Sequence, residues 1–188
     1  MIENKYPARK STRLKNWDYS SEGAYFITIC SHNHKNLFSR ISVGAIHESP
    51  ADYRDFLYEY ADANLTSFGK IIQKTINKIP ARFGVKITDY IIMPNHIHLV
   101  IWVENCSDER AIRESPLQKR DLISKIVGYL KMNSSKEIHK ISEIEKIWQR
   151  NYHDHIIRND EDYCRIAEYV FNNPGKWEED CFYKQENN

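Results

Sequence analysis

The 188-residue sequence lacks any apolar run of the ~18–20 residues that a transmembrane helix needs, and we expect no membrane span. Its first fifteen residues are polar and basic and contain no apolar segment of the kind that marks a secretory signal. We therefore expect a cytoplasmic protein. The formal net charge is only +1, which disfavours a protein that coats nucleic acid non-specifically through overall positive charge.

Closely spaced cysteines are also missing. The four cysteines lie far apart and no two have C-x-x-C spacing: Cys30, Cys106, Cys164 and Cys181. This spacing argues against a cysteine zinc site, and a cytoplasmic location argues against a disulfide framework. We predict reduced structural thiols.

Positive charge is concentrated in an N-terminal arm, residues 1–16. Residues 5–15 contain no acid, and their basic side chains include Arg9, Lys10, Arg13 and Lys15. Acidic residues cluster instead near the other end, at Glu178, Glu179 and Asp180. A basic arm on a near-neutral body favours a localised contact with a polyanion, although a merely solvated tail has the same composition.

Hydrophobic periodicity predicts strands and helices in the order ββ, α, ββ, α, β, α. The predicted strands are 24–31, 37–41, 85–92, 96–103 and one near 147–158, and the predicted helices are 66–79, 117–138 and 160–173. The first two strands should form a hairpin, Pro80 should stop the first helix, and Asn159 should cap the last. This order favours a mainly antiparallel sheet with helices packed on it, an α+β fold in one domain, 1–188. Polar loops are expected at about 42–64 and 105–117.

A His-Ile-His triplet opens the strand predicted at 96–103. Because successive strand side chains point to opposite faces, His96 and His98 share one face while Ile97 and Leu99 share the other. Two imidazoles side by side on a rigid strand form half of a divalent-metal site. The alternative is a half-exposed strand whose polar face carries two histidines by chance.

The last predicted helix presents a tyrosine at the edge of its apolar stripe. At roughly 100° per residue, Tyr169 lies about 110° from the centre of the stripe formed by Tyr163, Ile166, Ala167 and Val170. Asn173 follows at i+4, one turn further along the same face. This edge could face the His96/His98 strand across a cleft. The alternative is that Tyr169 is a packing residue and Asn173 a C-terminal cap.

Five blocks of sequence together resemble the IS200-type tyrosine transposases of the HUH endonuclease superfamily, and within them the REP-associated tyrosine transposases. The blocks are 9–14 with 17–19 (RKSTRL, WDY), 23–28 (GAYFIT), 93–98 (MPNHIH), 148–158 (WQRNYHDHIIR) and 166–174 with 176–177 (IAEYVFNNP, KW). They follow the family's order and are spread along the chain from residue 9 to residue 177, outside the two polar loops. The fold implied by this resemblance is the ferredoxin-like HUH fold.

The resemblance implies a catalytic set. His96 and His98 would be metal ligands, Tyr169 the nucleophile, and Asn173 a third ligand, with Mg²⁺ or Mn²⁺ as the cofactor. Tyr163 and Tyr152 are the rival nucleophiles. The implied reaction is cleavage and rejoining of single-stranded DNA through a 5′-phosphotyrosine, which conserves the phosphoester.

The resemblance also implies a hairpin DNA partner, here a repetitive extragenic palindrome, and leaves monomer and homodimer open. Candidate DNA-contacting residues are Arg9, Lys10, Arg13 and Lys15 of the arm, Trp17, and Lys125. Trp17, Tyr19 and Trp148 could stack on unpaired bases, although core packing explains them equally well. Lys125 belongs to a lysine-rich helix face shared with Lys131, for which a solvated surface is the equally good explanation.

Three other functions compete with DNA strand transfer. A domesticated protein on the same fold could bind hairpins without cleaving them, but it would have no chemical need for both histidines and the tyrosine. An RNA-binding or RNA-processing protein could use the same basic surface. A structural metalloprotein is disfavoured because the sequence offers only two clear protein ligands.

Overall fold

The computed structural model describes residues 17–41, 65–104 and 121–183. Its antiparallel sheet has four strands in the order β2-β3-β1-β4: β1 Gly23–Cys30, β2 Lys86–Ile92, β3 His96–Val103 and β4 His153–Ile157. The predicted α+β class with a mainly antiparallel sheet is confirmed. The basic arm and the two predicted polar loops lie outside the described residues.

The strands and helices follow the order of a split βαβ, ferredoxin-like unit with two helices added. They are α1 Ser67–Ile76, α2 Ile79–Phe83, α3 Leu122–Ile138 and α4 Asp160–Asn172, followed by a 3-10 helix, Pro174–Glu179. Asn159 caps α4 as predicted, because its side chain accepts a hydrogen bond from the Asp162 amide at 2.8 Å. Among the described residues, no helix is long and apolar enough to cross a membrane.

The sheet separates two cores. On one face Ile27, Ile29, Ile97, Leu99 and Ile101 pack with α1 and α3. On the other face a smaller core holds residues from all four strands, α4 and the 3-10 helix, namely Ala24, Ile91, Val100, Ile157, Ile166, Val170 and Trp177. The alternation along β3 therefore places His96 and His98 on the side of the smaller core and of α4.

Two local predictions were wrong. Residues 37–41 do not pair with β1, whose two edges are occupied by β3 and β4; instead the Leu37 and Phe38 amides donate to the Pro94 carbonyl at 2.8 and 2.9 Å. The first helix ends at Ile76, before it reaches Pro80. Pro80 sits in the first turn of α2, where a missing N–H costs little.

The lysine-rich face of α3 is less exposed than predicted at one position. Lys131 Nζ donates to the carbonyl oxygens of Gln149, Arg150 and Asn151 at 2.8, 3.3 and 3.0 Å. These carbonyls belong to the segment that leads into β4. Lys131 thus ties that segment to α3 and is not a free phosphate contact.

We expect Lys131→Met to lower the free energy of unfolding by about 1–3 kcal/mol, because three carbonyl oxygens lose a charged donor. Urea denaturation measures this change. The exposed Lys136 on the same helix is the matched control, and Lys136→Met should change stability by less than about 0.5 kcal/mol. Equal effects of the two substitutions would contradict the assigned role of Lys131.

Candidate active site

Two buried imidazoles form the fixed part of the site. His96 and His98 are 0% and 1% exposed, and their Nε2 atoms lie 3.0 Å apart. A polar side chain contacts the Nδ1 atom of each ring. Asn95 Oδ1 lies 2.9 Å from His96 Nδ1, and Thr28 Oγ1 lies 2.9 Å from His98 Nδ1. Thr28 reaches His98 because the two residues are directly opposite in the β1–β3 ladder.

Tyr169 approaches the histidines from α4. Its hydroxyl lies 3.4 Å from His98 Nε2, and its side chain remains 43% exposed, in keeping with the boundary position expected for it. The Phe26 ring stacks on His98 at 5.0 Å between centroids and meets Tyr169 edge-on at 6.2 Å. Strand and helix residues therefore meet within a single chain.

Asp180 also belongs to this site, although the sequence did not single it out. Ligand atoms of His96, His98 and Asp180 lie within 4.8 Å of one another, and the Tyr169 hydroxyl is 3.5 Å from Asp180 Oδ2. The available signal was the acidic cluster at 178–180, a short distance after the tyrosine helix. A cluster of that kind is common on surfaces, so it did not single out Asp180.

Asn173 lies beside Asp180 and is 4% exposed. Its Nδ2 donates to Asp180 Oδ2 at 3.0 Å, whereas its buried Oδ1 has no hydrogen-bond partner among the described residues. Such an orphaned carbonyl oxygen is available to a cation. The predicted helix-edge pair is thus next to the histidines, and Asp180 lies with it.

The environment keeps the His96 and His98 imidazoles and the Tyr169 phenol uncharged near neutral pH. Burial lowers the pKa of His96 to about 4, partly offset by the Asp180 charge. Burial also lowers the pKa of His98 well below its usual value, and His96 adds to that effect. In contrast, burial and the Asp180 carboxylate raise the pKa of Tyr169 to about 12.

The donor set fits a divalent cation. Two neutral nitrogens 3.0 Å apart match neighbouring ligands of an octahedral ion, for which bonds of about 2.1 Å give a separation of about 3.0 Å. Asp180 supplies negative charge, and Asn173 supplies the orphaned carbonyl oxygen. Mixed imidazole and oxygen ligands of this kind suit Mn²⁺ and, less readily, Mg²⁺.

A cleft of about 450 Å³ opens beside the tyrosine. It is bounded by α4, the 3-10 helix and the residues that follow, and its lining includes Tyr169, Asn173 and Asp180 with the basic residues Arg165 and Lys176. Arg165 is also bonded to Asp162 on its own helix. The cleft gives a polar substrate access to the tyrosine hydroxyl.

The rival tyrosines are engaged elsewhere. The Tyr163 hydroxyl donates to Asp89 Oδ2 at 2.9 Å, and the Tyr152 hydroxyl lies 3.0 Å from Ser124 Oγ. Both contacts differ from the histidine contact made by Tyr169. The described geometry therefore favours Tyr169 as the residue able to act with the histidines.

Of the residues predicted to bind DNA, the structure describes two, Trp17 and Lys125, and neither lies beside the histidines. Arg9, Lys10, Arg13 and Lys15 lie outside the described residues. Trp17 is 42% exposed, with its indole N–H donating to the Tyr25 hydroxyl at 3.3 Å. Lys125 is half-buried on α3, which packs on the opposite face of the sheet from the histidines. Tyr19 and Trp148, the other two aromatic residues considered for base stacking, belong to the protein core. Tyr19 is buried, and Trp148 packs on Phe38.

The three described cysteines are free thiols, and Cys106 lies outside the described residues. Cys30 is buried, while Cys164 and Cys181 are exposed. Cys181 lines the cleft next to Asp180. Burial raises the pKa of the Cys30 thiol to about 11, which leaves it protonated and unreactive at neutral pH.

Comparison with known proteins gives matches in sequence and in fold. An uncharacterised protein of Haemophilus influenzae is 35% identical over 184 residues, 93% of each chain. A second Haemophilus influenzae protein, provisionally described as a REP-associated tyrosine transposase, is 31% identical over 85 residues, 45% of this chain and 47% of that protein. No protein-family model matches the chain.

Among solved structures, a REP-associated tyrosine transposase bound to a REP hairpin has a TM-score of 0.52 and 17% identity, over 92% of this chain and 78% of that one. The chain resembles the REP-associated tyrosine transposases in sequence and in fold. The resemblance predicted from the motif blocks is therefore confirmed. The sequence likeness supports a role within the transposase family, and the structural likeness shows the fold.

We expect the metal-free protein to lose stability as the pH falls from 6.5 towards 4. The folded protein keeps both histidines neutral because burial lowers their pKa, whereas the unfolded chain takes up a proton at each near pH 6.5. Each histidine then contributes a slope of up to about 1.4 kcal/mol per pH unit, and stability is greatest above this range.

Urea titrations in a chelating buffer measure this slope. His98→Gln should reduce it by roughly half, since one of two buried titrating groups is removed. The exposed His139 at the end of α3 is the control, and His139→Gln should leave the slope unchanged. A free energy of unfolding that does not vary with pH across this range would contradict the neutral, buried histidine pair.

Proposed function

We propose that this protein is a metal-dependent single-stranded DNA endonuclease and strand transferase with Tyr169 as its nucleophile. The observation that carries the proposal is the 3.4 Å approach of the Tyr169 hydroxyl to His98 Nε2, inside the cluster formed with His96 and Asp180. A phenol, two neutral imidazoles and a carboxylate in contact form a nucleophile beside a cation site. The sequence and fold likenesses supply the reaction class.

In the proposed reaction Tyr169 Oη attacks the phosphorus of a DNA phosphodiester, and the bond to the 3′-oxygen breaks. The phenol proton moves towards Asp180 Oδ2, the carboxylate oxygen nearest the hydroxyl at 3.5 Å, and the departing 3′-oxygen takes up a proton. The product is a 5′-phosphotyrosine and a free 3′-OH. Attack by another 3′-OH reverses the same step and joins the strands without ATP.

His96, His98, Asn173 and Asp180 are proposed to hold Mg²⁺ or Mn²⁺. When bound, the cation supplies Lewis-acid polarisation of the scissile phosphate and positive charge beside the phenol. The neutral histidines donate their Nε2 lone pairs without first having to lose protons. Asn173 also positions the Asp180 carboxylate through its 3.0 Å hydrogen bond.

The proposed substrate is a DNA hairpin of the REP type with a single-stranded flank. The solved structure of similar fold is bound to a REP hairpin, and Lys176 on the wall of the cleft beside Tyr169 is proposed to contact a phosphate. Arg9, Lys10, Arg13, Lys15, Trp17 and Lys125 are proposed to contact the DNA. A monomer contains every proposed catalytic group, and a homodimer is the alternative assembly.

We expect Tyr169→Phe to abolish a covalent protein–DNA adduct, because the attacking oxygen is removed. The substrate is a hairpin oligonucleotide labelled at its 3′ end, since the phosphotyrosine retains the fragment on that side of the cut. Wild-type protein with Mn²⁺ should give a labelled band that survives a denaturing gel. Tyr163→Phe is the matched control and should keep the adduct.

An adduct that persists in Tyr169→Phe would overturn the nucleophile assignment. Hairpin binding without any adduct in the wild type would instead favour the non-cleaving DNA-binding protein. The same assay with an RNA hairpin tests the RNA-processing alternative, because an RNA-processing enzyme should prefer the RNA hairpin to the DNA hairpin.

We expect Asp180→Asn and Asn173→Leu each to weaken Mn²⁺ binding by about tenfold or more, since each removes a proposed ligand oxygen or its charge. Electron paramagnetic resonance of the free ion measures the affinity without DNA. Glu179→Gln, one residue from Asp180, is the control and should change the affinity by less than about twofold. If neither Asp180→Asn nor Asn173→Leu weakens binding, the oxygen ligands are assigned wrongly.

A further inference from the structure

The Asn95 side chain connects three separate segments at the metal-site end of the sheet. This residue is 0% exposed and lies in the turn between β2 and β3. Its Oδ1 lies 2.9 Å from His96 Nδ1, and its Nδ2 donates to the Phe182 carbonyl at 2.8 Å and to the His34 carbonyl at 3.3 Å. One amide thus contacts a proposed ligand and the chain just beyond Asp180.

These contacts determine where the proton of His96 resides. Two backbone carbonyls can only accept hydrogen bonds, so the NH₂ end of the Asn95 amide must face them and the oxygen must face His96. An amide oxygen is also an acceptor only, and His96 Nδ1 must therefore carry the hydrogen. In the neutral ring the lone pair is then on Nε2, the nitrogen that faces His98 and the candidate metal centre.

The contact with Thr28 does not determine which ring nitrogen of His98 carries the hydrogen. The Thr28 hydroxyl can either donate to His98 Nδ1 or accept from it, so the 2.9 Å contact orients the ring without selecting a tautomer. The two histidines are therefore supported differently. His96 is the one whose tautomer is determined by its partner.

The other end of the same amide holds the chain near Asp180. Phe182 is fixed by its carbonyl bond to Asn95 and by its ring, which stacks on His34 at 5.6 Å and lies 4.8 Å from His96. The Phe182 amide in turn donates to Asp180 Oδ1 at 2.7 Å. His34 and Asn33 have positive φ angles of 53° and 56°, a strained backbone that the Asn95 bond to the His34 carbonyl helps to hold.

We propose that Asn95 is a positioning residue for the candidate metal centre. It selects the His96 tautomer that presents Nε2 to the cation, and it places the segment that carries Asp180. This inference rests on the proposed function, but the His96 tautomer and the Mn²⁺ affinity can both be measured without DNA.

The test compares Asn95→Leu with Asn95→Asp. Leucine has a similar size and no polar atoms, whereas aspartate keeps an oxygen that accepts from His96 Nδ1. Long-range ¹H–¹⁵N spectra of the metal-free protein at pH 7.5 report the His96 tautomer, with His96→Gln used for assignment. Wild type and Asn95→Asp should show the hydrogen on Nδ1, and Asn95→Leu should show a mixture of tautomers.

Mn²⁺ affinity is the second measurement. We expect Asn95→Leu to weaken binding by about 10–100-fold, the usual effect of losing a group that orients a histidine ligand, and Asn95→Asp to remain closer to wild type. Asn133, whose amide bonds to the Tyr129 carbonyl on α3, provides the control, and Asn133→Leu should change neither reading. A wild-type tautomer and affinity in Asn95→Leu would overturn the proposal, as would equal loss of the tautomer in both Asn95 variants.

Failure of this inference and failure of the proposed function give different results. If the wild type forms no DNA adduct but Asn95→Leu still changes the tautomer and the affinity, Asn95 positions a metal ligand in a protein without the proposed activity. If the adduct forms and Asn95→Leu leaves both readings unchanged, the activity holds and the role assigned to Asn95 is wrong.

Discussion

Burial of two neutral imidazoles side by side is the constraint on which the rest of the site depends. β3 is an inner strand, and its Ile97 and Leu99 side chains hold it to the larger core. The same alternation forces His96 and His98 into the opposite face, where uncompensated polar atoms are costly. Asn95 and Thr28 satisfy the outer nitrogens. The inner nitrogens face each other, which leaves a polar site inside an otherwise apolar layer.

The position of the tyrosine follows from how α4 covers that layer. Ile166 and Val170 insert into the smaller core, and Tyr163 bonds to Asp89 on β2, so the helix is held at two points along its length. Tyr169 immediately precedes Val170 and lies about 100° around the helix from it, at the margin of the packed stripe. Its hydroxyl consequently reaches His98 while one side of the ring remains in solvent.

Features that depend on local periodicity could be predicted from the sequence. The shared face of His96 and His98, the cap at Asn159 and the boundary position of Tyr169 each follow from a repeat of two or 3.6 residues or from one capping side chain. These features define the strand and helix halves of the site. Most of the order of strands and helices follows from the same periodicity.

Features that depend on contacts between distant segments could not be predicted. Asp180 reaches the histidines because a 3-10 helix reverses the chain after α4 and because Phe182 bonds to Asn95, 87 positions earlier. No repeat in residues 174–183 encodes that path. Similarly, 37–41 is a plausible neighbour for β1 by sequence, but both edges of β1 are taken by strands that are remote along the chain.

The charges around Tyr169 oppose the ionisation that the proposed chemistry requires. With a pKa of about 12, about one phenol in 10⁵ is ionised at pH 7. The negative Asp180 beside the hydroxyl opposes a phenolate, and the hydrogen bond with the Asn173 side chain favours it by a smaller amount. Arg165 and Lys176 lie along the cleft walls. Positive charge at the cluster itself would reverse this balance by stabilising the phenolate and offsetting Asp180 at short range. A cation bound as proposed would therefore favour the ionisation of Tyr169 that burial and Asp180 oppose.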